Sequence, residues 1–174
     1  MGRQEELIRA LNERNVRFVA IGVWGVNLYA RDVSHAFVTR DTDLFLPAAP
    51  PNLLEAWRAC EDVGLELLSG REPLDMPRDL FVARAVVERR ALTSATDGGD
   101  LLVDLTLVMG GFDFETVWAE RRLFKLGDVD VPVARLTHIA QSKAAAGRPK
   151  DRLFLETHKE MLADMIRRHE RPGP

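Results

Sequence analysis

Some segments of the chain repeat hydrophobic residues at helical spacing, and others alternate hydrophobic and polar residues as strands do. This pattern predicts a protein of mixed helices and strands. Apolar residues at helical spacing predict helices over residues 3–15, 23–30, 50–63, 112–121, 135–146 and 150–169. Short apolar or alternating runs predict strands over residues 16–21, 41–46, 65–68, 79–93 and 101–108, and a hairpin over 123–133. Residues 31–40 are polar and irregular, and residues 69–77 read as a loop.

These elements predict an α/β or α+β fold. We expect a small mixed sheet with helices packed against it and a C-terminal pair of helices, separated by a break at residues 147–149. At 174 residues the chain suits one compact unit. Within it we expect a core over residues 1–134 and a C-terminal helical segment over 135–174 packed on that core.

Composition excludes several classes of protein. The single cysteine, Cys60, allows no intrachain disulfide and no structural zinc site made of cysteines alone. No apolar run approaches the roughly 20 residues of a membrane span, and the charged N-terminus lacks a signal-peptide core. A net charge of −3 argues against coating of duplex nucleic acid. We therefore expect a cytoplasmic protein with no membrane partner.

Three aspartates stand out on two of the predicted strands. Asp41 and Asp43 are two residues apart, so both point to the same face of their strand. Asp104 interrupts an otherwise apolar strand, where a carboxylate is costly unless it is paired, metal-bound or at the sheet surface. If the two strands are neighbours, the three carboxylates converge and offer the oxygen ligands that Mg²⁺ prefers.

Each of these signals also has an ordinary explanation. An Asp-x-Asp pair occurs often by chance, as the solvent-facing side of an edge strand. Gly22, between a strand and a short helix, can place backbone N–H groups near a phosphate, but it can equally be a simple turn. The order of a glycine turn, a short helix, an Asp-x-Asp strand and a later strand with one aspartate favours a metal site.

Residues 21–28 (Ile-Gly-Val-Trp-Gly-Val-Asn-Leu) and 39–44 (Thr-Arg-Asp-Thr-Asp-Leu) resemble the signature of the DNA polymerase beta-type nucleotidyltransferase superfamily. The likeness is greatest to its small bacterial members, including those of toxin–antitoxin and abortive-infection systems. Residues 136–155 are similar to a helical segment of the same proteins that contributes a basic residue near the nucleotide. Val23 departs from the pattern, because the family has glycine or serine there.

The resemblance implies a nucleotidyltransferase fold and transfer of a nucleoside monophosphate from a nucleoside triphosphate, with release of pyrophosphate. It implies Mg²⁺ or Mn²⁺ held by Asp41, Asp43 and Asp104, which would also be the catalytic residues. The nucleotide-binding positions that it implies are Gly22, Val23, Thr39, Lys143, Arg148 and Asp151.

The acceptor is open at this point, and tRNA, a protein and a small molecule such as an antibiotic all remain candidates. Two other functions also remain. One is a weakly active or inactive nucleotidyltransferase-fold partner in a toxin–antitoxin pair, and the other is a pure interaction domain with no nucleotide site.

Overall fold

A computed structural model describes residues 2–30 and 36–170 of the chain. Of the segment predicted to be irregular, residues 31–35 lie outside the described residues. Residues 36–40 form neither helix nor strand, as expected.

Helices account for about half of the described chain. They are α1 (Arg3–Glu13), α2 (Gly22–Leu28), α3 (Pro50–Asp62), α4 (Leu80–Arg89), α5 (Phe114–Ala119), α6 (Leu136–Ala146), α7 (Pro149–Thr157) and α8 (Lys159–His169). The strands are β1 (Val19–Ile21), β2 (Asp41–Phe45), β3 (Glu66–Ser69), β4 (Glu72–Pro73), β5 (Thr93–Thr96), β6 (Leu102–Thr106), β7 (Arg122–Leu126) and β8 (Val129–Val133).

All of these strands join one mixed sheet, in the order β4-β3-β5-β6-β2-β1-β8-β7. The pairs β2–β6 and β1–β8 are parallel, and the other neighbours are antiparallel. Among the described residues the sheet therefore has eight strands, more than the small sheet expected. The two strands that were not predicted are β4, which lies in the segment read as a loop, and β5, which begins where the segment predicted as extended ends.

The central strands β2 and β6 have one apolar and one polar face. Thr42 and Leu44 on β2, and Val103 and Leu105 on β6, are buried on one face, while the aspartates alternate with them on the other. Strand side chains alternate with a period of two, so the local sequence alone sets this division. The polar face is the one that carries the candidate site.

Trp57 of α3 is fully buried in the core and connects a helix to the sheet. Its indole N–H donates a hydrogen bond to the hydroxyl of Thr93 on β5, over 3.1 Å. Buried indole N–H groups generally require such a partner. The bond therefore fixes the position of α3 over β5 in addition to the apolar packing.

The extended segment predicted over residues 79–93 is wrong, because residues 80–89 form α4. Asp79 caps the helix by accepting the N–H of Val82, and Ala83, Val86 and Val87 face the core at helical spacing. The run of valine and phenylalanine suggested a strand, but capping and burial of one face outweighed that β-propensity.

The predicted C-terminal pair is also wrong, since residues 136–169 of the described chain form three helices. The expected long helix bends at His158, whose φ of −110° and ψ of 18° end α7 and begin α8. The bend lets α7 bury Asp151 while α8 buries Leu162 and Met165. The division of the chain at residue 134, between a core and a C-terminal segment, stays a prediction. Within the described residues, α6 packs directly against α2.

Among the described residues, every helix is too short or too polar to cross a bilayer. The hairpin predicted over residues 123–133 is confirmed as β7 and β8, which turn at Gly127.

Candidate metal and nucleotide site

The polar face of the sheet brings Asp41, Asp43 and Asp104 together, and we call them the carboxylate triad. Because β2 and β6 are parallel neighbours, Asp43 lies directly opposite Asp104. One carboxylate oxygen from each residue lies within 4.8 Å of the other two. The three carboxylates therefore converge, as expected for strands that are neighbours. Their roles as metal ligands and catalytic residues stay a prediction.

The triad concentrates negative charge in a partly desolvated place. Burial, followed by repulsion from Asp104 and Asp41, raises the pKa of Asp43 to about 6. Burial also raises the pKa of Asp104, and the nearby Asp41 charge adds to that increase. A divalent cation between the carboxylates would relieve this repulsion.

Ser94 on β5 orients Asp104 and was not predicted from the sequence. The two residues are opposite each other in the β5–β6 pairing, and the Ser94 hydroxyl donates to Oδ1 of Asp104 over 2.8 Å. This hydrogen bond opposes the rise in the pKa of Asp104. The only sequence signal was a polar residue in a short β-prone run, and its meaning depends on strand pairing.

Gly22 makes room for the triad. Its φ is +66°, a conformation that residues with a side chain rarely adopt, and a Cβ there would collide with the carboxylate of Asp43. The close approach follows from the antiparallel β1–β2 pairing, which puts Ile21 opposite Asp43. Glycine is thus required at this position for two reasons, the positive φ of its backbone and the lack of space for a Cβ beside Asp43.

Beside the triad, α6 and α7 supply a basic wall formed by Lys143, Arg148 and Lys150. Asp151 is 2% exposed and accepts from Arg148 Nε over 2.7 Å and, more loosely, from Lys143 Nζ over 3.4 Å. The Lys143 ammonium also lies 4.9 Å from the ring centre of Phe154. Burial alone would raise the pKa of Asp151, but its contacts with Arg148 and Lys143 lower the pKa and keep the carboxylate ionised.

One cavity of about 580 Å³ connects the triad to the basic wall. The sequence-predicted site residues all line it: Gly22, Val23, Thr39, Asp41, Asp43, Asp104, Lys143, Arg148 and Asp151. Lys150 lines it as well and was not predicted. Val23 therefore faces the cavity, whereas Trp24 packs against the hydrophobic core.

Thr39 helps to hold the start of β2. Its hydroxyl accepts the backbone N–H of Asp41 and donates to the Asp41 carbonyl, each over 3.3 Å. Thr39 therefore has a structural role as well as a place in the cavity lining, because it fixes the backbone that carries the Asp41 side chain.

The residues present suit a hard divalent cation. Three carboxylates on adjacent strands offer oxygen ligands to such an ion. The pKa of Asp43 is raised first by burial and then by repulsion from the other two carboxylates, and an ion would relieve that repulsion. A basic wall across the same cavity suits the phosphates of a nucleotide. A mixed sheet that carries three aspartates beside a basic wall is what the resemblance to the nucleotidyltransferase class predicts.

A comparison with solved structures supports that class at the level of the fold. The chain is similar to the antibiotic-resistance factor ANT(2'')-Ia, a nucleotidyltransferase whose solution structure is described as revealing substrate-regulated conformation dynamics. The TM-score is 0.56 at 16% sequence identity, and the alignment covers 93% of this chain and 86% of that one. No family model matches the chain, and no curated protein matches it. Membership of the toxin–antitoxin type gains no support from this likeness and stays a prediction.

Proposed function

We propose that this protein is a divalent-cation-dependent nucleotidyltransferase. It moves a nucleoside monophosphate from a nucleoside triphosphate to a hydroxyl group and releases pyrophosphate. The observation that carries the proposal is the convergence of three carboxylates within 4.8 Å, beside a basic wall, on a nucleotidyltransferase fold.

Asp41, Asp43 and Asp104 would hold the cation, which is Mg²⁺ or Mn²⁺. When bound, such an ion would neutralise phosphate charge and lower the pKa of the attacking hydroxyl. Asp43 suits a central role because its carboxylate is more buried and more strongly repelled by its neighbours than an ordinary aspartate.

The residues around the triad bind and orient the triphosphate. The N–H groups at the start of α2, at Gly22 and Val23, lack helical acceptors and lie beside the triad, where they can donate to phosphate oxygens. Lys143 offsets phosphate charge across the cavity. Arg148 already neutralises Asp151, so the ammonium of Lys143 retains donors for a ligand.

Asp104 is the residue suited to take the proton of the attacking hydroxyl. Ser94 donates to its Oδ1 and so fixes the carboxyl group beside the cation that it would help to hold. A pKa raised by burial makes a carboxylate a better base near neutral pH. Phosphoryl transfer depends mainly on positioning and charge stabilisation, which are the tasks that this proposal gives to these residues.

The first test is calorimetric binding of each of the four nucleoside triphosphates with and without Mg²⁺. The Asp41→Asn/Asp43→Asn double variant is the matched control, since it keeps the shape of the site and removes its charge. We expect binding that requires both the metal and the aspartates. Release of pyrophosphate is then measured with candidate acceptors present.

Equal binding by the wild type and the double variant would refute the assignment of the triad. An absence of binding at millimolar nucleotide would refute the enzymatic function for the isolated chain. It would instead favour a partner-dependent role or an interaction domain.

A further inference from the structure

The cavity also has an apolar stretch of lining. Leu92, Val108 and Met109 line the cavity beside Thr106, at the end of β6. We call these three residues the apolar shelf. Leu92 is 48% exposed and Val108 is 56% exposed, so both side chains are accessible to a molecule in the cavity.

The position of the shelf follows from strand register. Ser94 is paired with Asp104 and Thr93 with Leu105, so Leu92 extends β5 along β6 just beyond the position of Asp104. Val108 comes two residues after β6 ends. The Thr106 hydroxyl accepts the Val108 N–H over 3.2 Å and donates to the Val108 carbonyl over 2.9 Å. The shelf is therefore held next to the proposed base.

Charge is distributed unevenly around the cavity. Among the described lining residues, the ionisable groups are the carboxylate triad, Asp151, Lys143, Arg148 and Lys150. The triad is assigned to the cation, and Asp151 is already paired with Lys143 and Arg148. The shelf itself and the adjoining Thr106 carry no ionisable side chain, and the cations of the lining belong to α6 and the start of α7.

From this arrangement we propose that the acceptor is an uncharged small molecule whose reactive hydroxyl lies next to an apolar face. The proposal rests on the proposed function and narrows it. The hydroxyl would face Asp104, and the apolar face would cover Leu92 and Val108. A polycation such as an aminoglycoside would leave ammonium groups against the apolar shelf, and nucleic acid would leave phosphates against it.

The test compares two glucosides that differ only in apolar surface. Octyl β-D-glucopyranoside, below its micellar concentration, and methyl β-D-glucopyranoside are titrated into the Mg²⁺-loaded full chain without nucleotide. The ¹³C-methyl NMR signals of Leu92 and Val108 report binding. Kanamycin and bulk tRNA are titrated in parallel as a polycation and a polyanion.

We expect the octyl glucoside to bind at least about tenfold more tightly than the methyl glucoside, because two methylene groups removed from water suffice for that factor. The Leu92→Asn/Val108→Thr variant should abolish the difference and retain Mg²⁺ binding. Leu123→Asn, at a leucine of β7 that is 65% exposed, is the control at an exposed apolar position outside the cavity lining and should retain the difference.

The proposal is overturned if the octyl glucoside does not bind, if the two glucosides bind equally, or if the shelf variant keeps the difference. It is also overturned if kanamycin or tRNA moves the shelf signals and the octyl glucoside does not. Since no nucleotide is present, these outcomes are independent of the nucleotide titration. Failure of the shelf is thus distinguished from failure of the proposed function.

Discussion

Replacing Asp43 with asparagine should stabilise the metal-free protein. In the folded chain the pKa of Asp43 is raised to about 6, by burial and by the charges of Asp104 and Asp41, from an ordinary value of 3.8. A tenfold change in an acid constant corresponds to about 1.4 kcal/mol, so keeping this carboxylate ionised costs the folded state about 3 kcal/mol. Asparagine preserves the shape and removes that cost.

The sign follows from proton linkage. The folded state binds the Asp43 proton more tightly than the unfolded state, so the wild type loses stability as pH rises from about 4 to about 6. Above that window the Asp43→Asn variant should be more stable by about 2 to 3 kcal/mol. Below about pH 4 both side chains are neutral and the difference should disappear.

The assay is urea unfolding in EDTA across this pH range, with Asp75→Asn as the matched control because Asp75 is exposed in a loop. Repeating the wild-type measurement with Mg²⁺ should recover most of the difference, because a cation between the carboxylates offsets their repulsion. A variant that is less stable than the wild type in EDTA at neutral pH would refute this account of the triad.

Three further substitutions test other parts of the structure. Gly22→Ala should lower the free energy of unfolding by about 1 to 2 kcal/mol and weaken Mn²⁺ binding about tenfold, measured by electron paramagnetic resonance, because the backbone and a neighbouring carboxylate must both shift. Asp151→Asn should destabilise the protein by about 1 to 3 kcal/mol near neutral pH, as Lys143 loses its partner. Because the folded-state pKa of Asp151 is lowered, that deficit should shrink as pH falls through its acidic range, and a deficit independent of pH would contradict the ion pairing. Thr93→Val should cost about 1 to 3 kcal/mol in urea unfolding by leaving the Trp57 N–H without an acceptor, and an unchanged midpoint would count against that hydrogen bond.

Local chemistry explains which elements could be predicted. The alternation around Asp41 and Asp43 placed both aspartates on one face of a strand, as β2 shows. A glycine between strand and helix marked the start of α2. The amphipathic pattern of residues 80–89 was obscured by its valines, so α4 was missed until burial and the Asp79 cap became visible.

The candidate site, too, could be predicted only in part from the sequence. The sequence by itself determined which residues carry carboxylates and cations, and which of them share a strand face, because side-chain direction follows from backbone period. Only the tertiary structure decided that β2 and β6 are parallel neighbours in register, which joins Asp43 to Asp104. Pairing between strands about 60 residues apart depends on how the whole sheet packs, and no local pattern encodes it. The bend at His158, the Ser94 hydrogen bond and the apolar shelf follow from the same long-range packing.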